Sequence, residues 1–152
     1  LWEANMEVLD PKNSGIDLFD DDWKIFSRNS GMTGHKIGAH AVIKNSMITD
    51  GCRIDGEVEH SVLFAGVKVA PGAVVRDAVV MGGTVIKSGA VVEHCIIGED
   101  AVIGENAKIG MTKDGEEKGV ATIGPGVYVG DGAMVGSTAM VRENVKDGEE
   151  EW

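Results

Sequence analysis

Residues 61–109 read SVLFAGVKVAPGAVVRDAVVMGGTVIKSGAVVEHCIIGEDAVIGENAKI, and their spacing decides the fold. Branched aliphatic residues fall at Leu63, Val69, Val75, Val80, Ile86, Val92, Ile97, Ile103 and Ile109, in steps of 6, 6, 5, 6, 6, 5, 6 and 6. The pattern therefore closes every 17 residues. Outward from this stretch the rule reaches Ile37, Ile43, Ile48, Ile54 and Val58 on one side and Ile123, Val129, Val135 and Val141 on the other. A short fixed period governs the reading of everything else, because one unit buries its apolar face only by stacking on its neighbours.

Two residues before most of these positions sits a small side chain, as at Ala73, Ala78, Thr84, Ala90, Cys95, Ala101 and Ala107. Residues two apart lie on the same face of a strand. Pro71-Gly72, Lys87-Ser88-Gly89 and Gly98-Glu99-Asp100 supply turn chemistry in the intervals. Three guide residues per period describe a triangular coil, stacked on the next at the strand spacing of about 4.8 Å. Eighteen guide residues make about six coils. An amphipathic helix fails as an alternative, since it needs apolar residues at i, i+3, i+4 and i+7. Glycine at 22 of 152 positions also opposes long helices. The chain is expected to be all-β: a parallel β-helix of triangular coils with a short N-terminal helix.

With 25 acidic and 14 basic residues the chain carries a net charge of −11, which disfavours a nucleic-acid or anionic-membrane partner. No apolar run approaches transmembrane length and no signal-peptide pattern is present. Cys52 and Cys95 fall on inward small positions of different coils, so buried free thiols are expected rather than a disulfide, as in a cytoplasmic protein. Leu1 in place of a starting Met suggests a fragment.

Three regions follow. Residues 1–36 hold a helix over 1–10, with Trp2, Met6 and Leu9 near one face and Pro11 forbidding continuation, then an irregular linker rich in large side chains. A marginal helix of this length needs something to pack on: the end of the solenoid, or a preceding domain absent from this chain. Residues 37–145 form the solenoid, interrupted at 111–119 where the step from Ile109 to Ile123 is 14. The extruded segment reads as a solvated acidic loop. Residues 146–152 form an acidic tail, expected to be mobile.

Aligned coils turn outward residues into columns. Lys44, Glu59, Arg76 and Glu93 make a ladder of alternating charge. The next column is Asn45, His60, Asp77 and His94. His60 and His94 are two coils apart, about 10 Å, too far to share one ion, so solvated turn residues are the first reading and metal or acid–base chemistry the second. The third face gathers Met47, Val62, Phe64, Val79, Met81 and Ile96 into an outward apolar patch, expected to be an interface covered by another domain or subunit.

Leu1-Trp2-Glu3-Ala4-Asn5-Met6 followed by Asp20-Asp21-Asp22-Trp23-Lys24-Ile25 resembles the junction after the catalytic domain of bacterial glucose-1-phosphate adenylyltransferases (ADP-glucose pyrophosphorylases). Residues 44–52, then His60-Ser61-Val62-Leu63-Phe64 and residues 73–81, are similar to that family's hexapeptide-repeat β-helix. The resemblance spans about residues 1–110 and implies a left-handed β-helix, an exception to the usual right-handed crossover. It implies a parent enzyme making ADP-glucose and pyrophosphate from ATP and glucose 1-phosphate in glycogen synthesis. ATP and magnesium would be handled by an upstream catalytic domain of the same chain, with no cofactor in this segment. This segment would then be non-catalytic. It would support a homo-oligomer, or a pairing with a paralogous subunit, and contribute to an allosteric site. Arg76, Glu93 and His94 mark the candidate effector region, and Glu93 stands where activator-sensitive relatives carry a basic residue. The competing functions are a hexapeptide acyltransferase, with His60 or His94 as general base at a trimer interface and residues 111–119 over the cofactor, and a purely structural or metal-dependent γ-type solenoid, which the four histidines disfavour.

Overall fold

The computed structural model describes residues 1–26 and 29–152. The expected stacking is present. Leu63 pairs in register with Val80, Val80 with Ile97 and Ile97 with Ile123, all in parallel. The result is a parallel β-solenoid of about seven turns, one more than the guide residues imply, with two short helices before it.

Each turn has three faces. The first is built of two-residue strands from Lys36–Ile37 to Tyr128–Val129. The second begins at Val42–Lys44 and ends at Glu150–Glu151. The third begins at Met47–Ile48 and ends at Met140–Val141. Two seven-residue strands, Val74–Val80 and Val91–Ile97, run unbroken from the second face to the third. These two central turns are the most regular part of the molecule.

Ile54, Leu63, Ile86, Ile97, Ile103 and Ile109 are fully buried along the axis, and Ala73, Ala78, Ala90, Ala101 and Ala107 with them. Where a polar side chain takes a small position it finds partners. Ser61 Oγ donates to the Glu59 carbonyl at 2.8 Å and accepts from the Ala78 N–H at 3.1 Å. Thr84 Oγ1 donates to the Gly98 carbonyl at 2.9 Å. Cys52 and Cys95 are buried and unbridged.

The insertion is legible in the register. Lys68 pairs with Val85, 17 residues on, whereas Lys108 pairs with Met134, 26 residues on. The surplus is one loop of nine residues, leaving between Lys108–Met111 and Ala121–Ile123.

Four expectations change. Ile37 is 42% exposed, because as the first guide residue it has no coil beneath it. The tail is built into the solenoid: Glu150–Glu151 pairs with Met134–Gly136 as a seventh level, Trp152 packs over Gly136, and Lys113 of the loop sits 3.7 Å above the Trp152 ring. Pro11 does not close the first helix, which ends earlier. α1 spans Trp2–Glu7, and Pro11 opens a second turn, α2 (Pro11–Ser14), at the first helical position, where its missing N–H costs nothing. Finally, α1 packs on the side of the solenoid, over the third face, rather than on its end.

Candidate functional site

The corner between the second and third faces gathers the most chemistry. Its four successive residues Asn45, His60, Asp77 and His94 all have left-handed backbone, with φ of 40°, 45°, 47° and 46°. Among residues with a Cβ, Asn, Asp and His tolerate this conformation best. Backbone geometry thus accounts for the residue types in this column before any catalytic role is invoked.

Side chains then link the rungs. His60 Nδ1 lies 2.7 Å from Asp77 Oδ1. Trp2 reaches across from α1: its Nε1–H donates to the Asp77 carbonyl at 2.7 Å, and its ring lies 4.2 Å from the His94 ring, tilted by 52°. Burial lowers the basicity of the His94 imidazole, and Lys118 of the insertion lowers it further, against an opposing pull from Asp77. The insertion begins one rung above His94, where Gly110 has φ +84°. Trp2 and Lys118, absent from the column as read from sequence, complete it. Both come from non-repeating segments, where periodicity carries no signal.

Beside this corner, on the second face, Arg76 is surrounded. Its guanidinium donates to Glu57 at 2.9 Å and Glu93 at 3.2 Å, with Glu59 at 3.8 Å. Glu57 was not part of the expected ladder, although it lies two residues before Glu59 and so shares its face. Three carboxylates around one guanidinium leave the cluster net negative, and the guanidinium is pushed up, first by its bond to Glu57.

The apolar patch is partly covered by the chain itself. Val62 and Val79 are buried against Met6 of α1, with Trp2, Leu9, Met47, Met81 and Ile96 packed around them. The cover expected from another domain or subunit is, over these residues, supplied by this chain's own helix. Phe64 stands apart from that cluster and is 38% exposed.

Among the described residues no group of three or more His, Cys, Asp or Glu side chains is arranged to hold a metal ion, and no helix is long and apolar enough to cross a membrane. The chemistry available at the corner is that of a His60–Asp77 pair and a covered imidazole.

Comparison with known proteins fits this geometry. The chain is 48% identical over 81 residues to the glucose-1-phosphate adenylyltransferase of Clostridium perfringens, covering 53% of this chain and 21% of that protein. It is 46% identical over 76 residues to the enzyme of the same name from Geobacillus stearothermophilus, covering 50% and 19%. The chain thus spans about a fifth of the length of the curated relatives it matches. Among solved structures, the acetyltransferase domain of PglB from Neisseria gonorrhoeae aligns with a TM-score of 0.54 at 19% identity, over 80% of this chain and 55% of that one. The same domain in complex with acetyl coenzyme A aligns at 0.51 and 18%, over 76% and 50%. At these identities the likeness is one of fold. A family model matches residues 29–130, and the chain belongs to the family it describes, the GlmU-like C-terminal hexapeptide domains.

Proposed function

We propose that these residues form the C-terminal assembly and regulatory domain of a cytoplasmic enzyme that makes ADP-glucose and pyrophosphate from ATP and glucose 1-phosphate for glycogen synthesis. The observation that carries this reading is the 48% identity to an adenylyltransferase confined to about a fifth of that protein's length. ATP, magnesium and the chemical step belong to a catalytic domain upstream in the same polypeptide. The exposed Phe19, Trp23, Ile25 and Phe26 between α2 and the solenoid support a packing partner outside this segment. Assembly into a homo-oligomer, or with a paralogous subunit, gives the solenoid its second role.

For regulation, the Arg76 cluster argues against capture of a phosphorylated sugar there. Its guanidinium is already shared by Glu57 and Glu93, and a third carboxylate stands nearby. An arriving phosphate would meet net negative charge.

The test is to assay ADP-glucose formation by the full-length protein and by residues 1–152 alone, with acetyl-CoA binding measured in parallel. Synthesis by the full-length protein only, without acetyl-CoA binding, is the expected result. Acetyl-CoA binding with no ADP-glucose synthesis from either would replace this reading with acyl transfer. Strong sugar-bisphosphate activation of the full-length enzyme, abolished by Glu93→Gln, would overturn the account of the effector region.

A further inference from the structure

One short helix holds a buried apolar face shut, and the latch is a tryptophan on an imidazole. α1 is six residues long, too short to be stable without packing. It is held by Met6 against Val62 and Val79, by the Trp2 Nε1–H bond to the Asp77 carbonyl, and by Trp2 lying over His94. Among the described residues, His94 is the imidazole that stacks against the helix, through Trp2. We propose that α1 is a proton-sensitive strap, docked on the third face while His94 is neutral and released when His94 is protonated.

The groups that face His94 set the sign. Trp2 from α1 lies 4.2 Å from the ring, and the burial of the docked ring disfavours the imidazolium. Lys118, which belongs to the insertion and not to α1, repels the proton. Asp77, one rung below, attracts it, but its carboxylate is shared with His60. Glu93 precedes His94 and is engaged with Arg76. The acidic residues of α1, Glu3 and Glu7, are exposed. Docked His94 is therefore a weaker base than undocked His94. Docking is fully favourable above the undocked imidazole's range and is lost as pH falls towards the lowered, docked one. Lys118 positions that window without creating it. Release would uncover Val62 and Val79 beside Met47, Met81 and Ile96.

The experiment uses the chain with Trp23→Phe and Trp152→Phe, which leaves Trp2 as the sole tryptophan. Acrylamide quenching and indole N–H exchange of Trp2 are followed from about pH 8 to about pH 5, the range in which imidazoles titrate. Far-UV circular dichroism confirms that the solenoid stays folded. Quenching should rise several-fold on acidification, with loss of N–H protection. His94→Asn, a residue that keeps the left-handed corner but removes the ring under Trp2, should abolish the pH dependence of Trp2 quenching, whatever its baseline protection. Lys118→Gln should move the midpoint to higher pH, and His60→Asn should leave the transition in place. A Trp2 environment that does not change with pH, or the same transition in His94→Asn, overturns the proposal.

Discussion

The solenoid and the segment before it use large apolar side chains in opposite ways. Leu63, Val80 and Ile97 have no exposed surface, whereas Phe19, Trp23 and Phe26 are 82%, 75% and 88% exposed. A periodic sequence carries its own partners, because each guide residue meets the same residue type one turn above and below. A non-periodic stretch has no such guarantee. It either borrows a surface, as α1 borrows the third face, or stays open. Stability should therefore be concentrated in the coils, and sensitivity to substitution should fall sharply before residue 37.

The largest effect that would separate the two regions is a cavity in the axis. Ile97→Ala removes a side chain stacked between Val80 and Ile123, and should cost about 2–5 kcal/mol in urea unfolding. Phe19→Ala, of comparable or larger volume change, should stay within about 0.5 kcal/mol. Equal losses would mean that the exposed segment is a folding partner of the coils.

A second contrast lies within the solenoid and its loop. Gly110 and Gly115 share φ +84°, yet a Cβ on Gly110 would overlap the Glu93 carbonyl oxygen, while Gly115 in the insertion has open space around it. Gly115→Ala should cost about 1–2 kcal/mol from backbone conformation alone. Gly110→Ala should cost clearly more, since the strand beneath has to move. Thermal unfolding of the pair separates conformational strain from steric overlap in one comparison.

Much of this architecture is readable from the order of residues, and the reason is local. Branched residues at fixed spacing specify register through the pleat, so Leu63, Val80 and Ile97 fall above one another. The nine-residue surplus after Ile109 is visible as a broken step. What was not legible lies where unlike segments meet. The apolar face of Trp2, Met6 and Leu9 and the outward patch of Val62 and Val79 were both apparent, but nothing in the period says that one covers the other. The tail looked mobile by charge, and it joins the solenoid because Glu150–Glu151 offers backbone to an open edge and Trp152 finds a glycine to lie on. At the candidate corner, the column was legible and its cover was not.

The coils also differ from the surface in their response to alkali. Burial pushes the Cys95 thiol well above its ordinary range, and that of Cys52 is raised as well. A folded-state pKa above the unfolded one gives stability that is complete below the unfolded value and is lost as pH rises beyond it. Above about pH 8.5 the Cys95 thiol ionises in the unfolded chain and not in the folded one, a loss of about 1.4 kcal/mol per pH unit. Cys95→Ala should flatten the dependence of urea unfolding on pH between about 8.5 and 10, and an unchanged slope would place the alkaline sensitivity outside the core.

The smallest effect is expected at the charge cluster on the outer face. Arg76→Met leaves Glu57, Glu59 and Glu93 facing one another without a cation, yet these side chains are each roughly a third exposed and water screens them. The loss should be about 0–1 kcal/mol at low salt, and should shrink as ionic strength rises and the Debye length shortens. If the loss is instead several kcal/mol and indifferent to salt, Arg76 is holding adjacent rungs in register as the axis residues do, and the division between a stabilising core and a permissive surface does not hold at this corner.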